Sequence, residues 1–140
     1  MSKDHDRLDG IFKKFQAAKN KDYGIAKRLF HEFKTGLERH IAWEEEMLFP
    51  LFENKTGMHN TGPTEVMRME HKQIKEFLEG IHSKIAKKDM KTDEFEEGLI
   101  ETLTPHNDKE ENILYPMIDS HISEKEREEA LKKMQNDKSQ

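Results

Sequence analysis

Apolar side chains step along this chain at intervals of three and four residues, the spacing that lines one face of an α-helix. His5, Leu8, Phe12 and Phe15 follow i, i+3, i+7, i+10, and His71, Ile74, Leu78 and Ile81 do the same. Phe33, Leu37, His40, Glu44, Leu48 and Leu51 form a stripe in a second segment. Leu99, Leu103, His106, Glu110, Ile113 or Leu114, and Met117 form its match in a fourth. The pattern predicts an all-α chain with helices over 3–19, 23–53, 64–87 and 93–120, broken at Asn20–Asp22, Gly57–Pro63 and Lys87–Thr92. Pro50 and Pro116 predict kinks or early stops in the second and fourth helices, because proline donates no backbone bond and crowds the preceding turn. Ser123 and Glu126 form a capping box that predicts a short fifth helix. The expected organisation is a bundle over 1–122 and a charged, solvated helix or tail over 123–140.

The sequence repeats. His40, Glu44, Glu45, Leu48 and Pro50 recur as His106, Glu110, Glu111, Leu114 and Pro116, and Phe49 is matched by Tyr115; the offset is 66 residues throughout. The same offset carries His5 onto His71. Each half therefore holds a lone His followed by a His-x-x-x-Glu, and two copies of one helical hairpin predict a pseudo-two-fold axis.

Hairpin arithmetic then places the histidines. His5 and His40 are equidistant from the first break, as His71 and His106 are from the third. An antiparallel up-down-up-down four-helix bundle brings all four imidazoles to one level, one per helix and facing inward. Glu44 and Glu110 follow one turn further on the same inward face. A single inward His is ordinarily a hydrogen-bonded core residue. Four imidazoles and two carboxylates at one apolar level are another matter, since each unpaired buried ion costs several kcal/mol (about 3–5). Bound divalent metal is the economical way to offset that.

Elsewhere the plainer reading holds. His31 lies off the inward face, His59 lies in a loop, and His121 sits where a helix C-terminus favours a partly positive ring. His82 returns to the stripe of His71 but about 16 Å away, too far to ligate, and is expected in the core or at its boundary. Trp43 is expected to pack a helix interface. Glu45 and Glu111 are expected in solvent or in an outer layer around the ligands.

Composition narrows the chemistry. The chain has 140 residues and no cysteine, which excludes disulfides, iron–sulfur clusters and thiolate metal sites. Its formal net charge is −5, with 24 basic residues dispersed among 29 acidic ones, so no basic face is offered to nucleic acid. No stretch approaches the apolar length of a membrane span, and the charged first residues do not read as a signal peptide; a cytoplasmic protein is expected. Nitrogen and oxygen donors without sulfur suit iron, manganese, zinc or copper. Four His and two Glu exceed one tetrahedral ion. They fit two octahedral ions, each with two imidazoles, bridged by both glutamates and one hydroxide or oxide, with an open position for a small molecule. The carboxylate-rich ferritin arrangement, built on Glu-x-x-His, fits poorly.

His5, His40-x-x-x-Glu44, His71 and His106-x-x-x-Glu110 in a duplicated bundle resemble the hemerythrin-like (HHE cation-binding) family over residues 3–120. The resemblance implies a non-haem centre of two iron ions (Fe2+/Fe3+) with a bridging oxo or hydroxo group, taking dioxygen or a related small molecule. It implies His5, His40, His71 and His106 as terminal ligands and Glu44 and Glu110 as bridges. Two departures from the oxygen carriers stand out. Lys75 occupies the position of their second helix-3 His, and their carboxylate spacing would select Glu111, where the repeat selects Glu110. The expected function is oxygen binding, oxygen sensing or iron holding; the alternative is redox protection against peroxide, nitric oxide or damaged iron centres.

Overall fold

The computed structural model describes residues 2–59 and 61–138, and every element among them is helical. Helix α1 (Ser2–Ala18) turns at residues 19–22 into α2 (Tyr23–Trp43), whose start is capped by Asp22 accepting from the Ile25 N–H at 3.1 Å. One wider, π-helical turn (Glu44–Leu48) joins α2 to α3 (Phe49–Thr56) without a break in the rod. Gly57, at φ 75°, closes α3 in the left-handed conformation that glycine adopts at least cost. Helix α4 (Pro63–Ala86) then leads through residues 87–92 to α5 (Asp93–Lys109). A second π turn (Glu110–Leu114) joins α5 to α6 (Tyr115–Asp119). Helix α7 (Glu124–Lys138) follows, and its start carries the expected box: Glu126 N–H donates to Ser123 Oγ at 3.1 Å, and Ser123 N–H to Glu126 Oε1 at 2.9 Å.

α1 packs on α2 and α4 on α5, forming two antiparallel hairpins. Their turns share one end of the bundle, where Lys19 bonds Asp93 and Glu96 and Tyr23 Oη donates to Ile85 O at 2.7 Å. The four long helices and their breaks fall within a few residues of the sequence reading.

Both π turns sit at equivalent places in the repeat. Phe49 N–H reaches five residues back to Glu44 O, and Tyr115 N–H reaches Glu110 O. A proline ring crowds the carbonyl four residues before it. Widening the turn ahead of Pro50 and Pro116 relieves that crowding, so the rods carry on where the sequence suggested kinks or stops. The wider turn holds one extra residue and shifts every later side chain around the helix. Two stripe assignments change in consequence. Phe52 and Ile118 are buried, where Leu51 and Met117 were expected, and Ile113 is 56 % exposed while Leu114 is buried.

The core comes in two apolar clusters. One joins Leu8, Phe12, Phe15, Phe33, Ile74 and Leu78 and their neighbours near the hairpin turns. The other joins Trp43, Phe49, Phe52, Met67, Leu114 and Ile118 at the opposite end. Along each rod the polar layer of His and Glu falls between them. α7 closes the second end: Ala130 and Leu131 join that cluster, and Trp43 Nε1 donates to Ala130 O at 2.6 Å. Trp43 thus packs at a helix interface. The segment after Ser123 is only partly solvated, since its inner face supplies core contacts; residues 139 and 140 lie outside the described residues. His82 is exposed, contrary to expectation. The buried stripe of α4 runs through Ile74, Leu78, Ile81 and Ile85, and His82 lies further round the helix than His71 does.

Candidate metal centre

His5, His40, Glu44, His71, His106 and Glu110 are each at most 6 % exposed and meet between the two apolar clusters. α1, α2, α4 and α5 each supply one imidazole, and the residue that opens each π turn supplies a carboxylate. The carboxylate oxygens divide the site in two. Glu44 Oε1 lies 3.3 Å from His71 Nε2, and Glu110 Oε1 contacts His106 Nε2 and lies 3.9 Å from His71 Nε2. Glu110 Oε2 lies 3.4 Å from His5 Nε2, and Glu44 Oε2 lies 3.7 Å from His40 Nε2. One oxygen of each glutamate therefore faces each hairpin's pair of imidazoles. Glu44, His71, His106 and Glu110 form one group of donor atoms near enough to share an ion, and His5, His40 and Glu110 form a second.

The other ring nitrogen of every histidine is engaged by an acid. Asp4 Oδ2 accepts from His40 Nδ1 at 2.7 Å, and Glu70 Oε1 from His106 Nδ1 at 2.9 Å. Glu45 Oε2 accepts from His71 Nδ1 at 3.2 Å, and Glu111 Oε1 from His5 Nδ1 at 3.1 Å. Asp4 and Glu70 are related by the 66-residue offset, as are Glu45 and Glu111, so the outer layer repeats with the inner one. Cations brace three of the four acids: Arg7 on Asp4 at 3.2 Å, Lys109 on Glu70 at 2.6 Å, and Arg68 beside Glu45 at 3.9 Å. Holding Nδ1–H in this way aims the Nε2 lone pair inward and makes it a stronger donor. Sequence reasoning missed Asp4 and Glu70. Their signal was present, since each directly precedes a candidate ligand at the common offset.

Charge is strongly coupled in the site. Burial opposes protonation of His40, but the neighbouring Glu44 charge and the Asp4 hydrogen bond outweigh it and push the ring up to about 10. His71 is pushed up to about 11: burial opposes its charge, and the adjacent Glu110, Glu44 and Glu45 carboxylates overcome it. Burial would raise Glu110, yet the imidazoles of His106, His5 and His71 beside it hold it well below the ordinary carboxylate range.

Those pairings leave gaps that a cation would fill. Glu44 Oε1, His71 Nε2 and Glu110 Oε1 are buried and face the same donor group, and although they lie close to one another or to His106 none of their contacts has hydrogen-bond geometry. A buried polar atom without a well-formed hydrogen bond costs about 1–3 kcal/mol, so three together are poorly explained by packing alone. The donor set, imidazole nitrogen and carboxylate oxygen without sulfur, fits iron.

Three further residues complete the surroundings. Tyr115 breaks the repeat, for Phe49 holds the equivalent place. Its hydroxyl donates to Glu44 Oε2 at 2.8 Å, contacts Glu110 Oε2, and lies 3.3 Å from His40 Nε2. Phe49 instead lays its ring on His71, with centroids 5.9 Å apart. Lys75 is exposed. Of the remaining histidines, His31 and His59 are exposed away from the centre, and His121 Nδ1 donates to Met117 O at 2.9 Å, at the end of α6.

The hemerythrin HHE cation binding domain matches residues 1–118. An uncharacterized hemerythrin-like protein of Schizosaccharomyces pombe is 33 % identical over 124 residues, 89 % of this chain and 60 % of that relative. The chain thus spans less than two thirds of the relative's length. No solved structure matches significantly. Among the described residues no helix is long and apolar enough to cross a membrane. Duplicated hairpins, a converging set of imidazoles and carboxylates, and a family match over 118 residues lead to one assignment: the chain belongs to the hemerythrin HHE cation-binding family.

Proposed function

We propose that the chain holds two iron ions between its hairpins and binds dioxygen or a related small molecule there. One observation carries this reading: each glutamate turns one oxygen toward each pair of imidazoles, as a carboxylate spanning two ions must. His5 and His40 would serve one ion, His71 and His106 the other, with Glu44 and Glu110 between them. Iron there supplies electrons that a small neutral ligand can accept.

The chain's own residues do the rest. Asp4, Glu45, Glu70 and Glu111 fix the ring orientations through Nδ1. Leu48, Phe49 and Leu114 keep water from one side of the layer. On the other side a cavity of about 280 Å³ between α1 and α5 reaches the edge of the site at His5; Leu8, Phe12, Leu37, Leu99 and Leu103 line it together with Asp9, Lys13, Gln16, Thr104 and Asn107. A mainly apolar wall with a polar margin suits a small uncharged ligand. A second reading, redox work on peroxide or nitric oxide, is favoured by the exposed Lys75, which leaves the oxygen carriers' extra imidazole without a substitute.

Anaerobic loading followed by iron analysis tests the centre: two irons per chain are expected, and failure to retain iron overturns the proposal. Admitting air to the reduced protein separates the readings. A visible band that fades under vacuum supports binding; one-way oxidation supports the redox role.

A further inference from the structure

The two halves of the centre are not equivalent, and the difference is Tyr115. Phe49 and Tyr115 are partners in the repeat, and both are buried rings stacked beside a site imidazole, His71 and His5 respectively. Only Tyr115 carries an oxygen. That oxygen lies 2.8 Å from Glu44 Oε2 and 3.3 Å from His40 Nε2, and it also touches Glu110 Oε2. Neighbouring donors on one octahedral ion with bonds of about 2.1 Å lie about 3 Å apart. The phenol oxygen therefore stands among the Oε2 side of the donor set as a further member would. Among the described residues the His71/His106 side has no such neighbour, and the three atoms without hydrogen-bond geometry converge there.

We propose that Tyr115 is a metal ligand, its phenolate oxygen completing the His5/His40 position and leaving the His71/His106 position to imidazole and carboxylate alone. The inference rests on the binuclear reading above and goes beyond it, because it makes the two ions chemically distinct. On ligation the Oη–metal bond forms and the Oη–H bond breaks. The proton leaves to solvent, and no oxidation state changes. In the metal-free chain the same O–H instead lies between the two carboxylates and donates to them.

A phenolate on iron(III) gives a charge-transfer band in the visible, with tyrosine ring modes enhanced by Raman excitation into it. The test compares the iron(III)-loaded chain with its Tyr115→Phe variant, recording absorption, Raman spectrum, iron per chain and helix content. Phenylalanine already fills the matching position 49, fully buried, so the variant is expected to fold. The band should be present in the parent chain and wholly absent from the folded variant. A fully loaded parent chain without the band, or a variant that keeps it, overturns the role of Tyr115 alone. A parent chain that takes up no iron overturns the binuclear reading and this inference with it.

Discussion

At the scale of single residues the centre separates the proposed metal ligands from the acids that would aim them. Glu44 and Glu110 are buried and central, whereas Glu111, though adjacent in sequence, is one-third exposed and holds His5 by Nδ1. Glu44→Gln or Glu110→Gln should therefore lose at least one iron per chain. Asp4→Asn, Glu70→Gln and Glu111→Gln should keep two irons but bind them about 10–100-fold more weakly. Iron analysis after dialysis against graded chelator measures both effects. Full occupancy in Glu110→Gln beside loss in Glu111→Gln would reverse the assignment. Protons compete for the same atoms. In the metal-free chain His40 at about 10 and His71 at about 11 lie above their unfolded value near 6.5. The stability they contribute is complete below about 6.5 and lost as pH rises through the folded values. Glu110 is depressed, so its contribution is present above about 4.5 and lost in acid. Melting of chelated protein should thus occur at lower temperature at about pH 9 than at about pH 6. A melting temperature that rises across this window contradicts the pairing. Metal uptake at these residues would expel the protons, so it should tighten as pH rises.

At the scale of elements the π turns set which side chains meet. Each places a buried site glutamate at its start and an aromatic ring just past its end, so the extra residue positions Phe49 and Tyr115 against imidazoles. Removing exposed Asn112 should restore ordinary α-helical bonding: Tyr115 becomes the fourth residue after Glu110, its N–H still reaches the Glu110 carbonyl, and everything after it stays in register with α5. The expected result is helix content and iron content both close to the parent chain, read by circular dichroism and metal analysis. Iron lost while helix content is kept would show that the width of the turn itself, and not only the register it sets, is needed. The same turns mark where the sequence could be read and where it could not. The long helices follow from periodicity, and the six central residues follow from the 66-residue offset and hairpin arithmetic. A widened turn leaves no trace in composition; it appears as one slipped residue, from Leu51 to Phe52 and from Met117 to Ile118. Pro50 and Pro116 signalled trouble at the right places, though they do not say whether a helix stops, bends or widens. Asp4 and Glu70 escaped notice because an acid on a charged helix looks solvated until its partner across the hairpin is known.

At the scale of the whole molecule the polar layer divides the core, and the end beyond it depends on α7. That helix is rich in Glu and Lys and has little apolar surface of its own, yet Ala130 and Leu131 pack on the cluster around Trp43 and the Ala130 carbonyl accepts from the indole. Trp43 is the chain's one tryptophan and lies 5.9 Å from His40, so its fluorescence reports on α7 docking and on the centre together. Ending the chain after Ile122 should expose the indole, shift its emission to longer wavelength and lower the melting temperature. Burial of a large aromatic contributes several kcal/mol, about 3–5 by truncation to alanine, and part of that contribution goes with the helix that covers it. Because Trp43 directly precedes Glu44, the loosened π turn should also release iron faster from the shortened chain than from the full one. Emission and iron release that both match the full chain would mean that α7 merely rests on a bundle already complete without it.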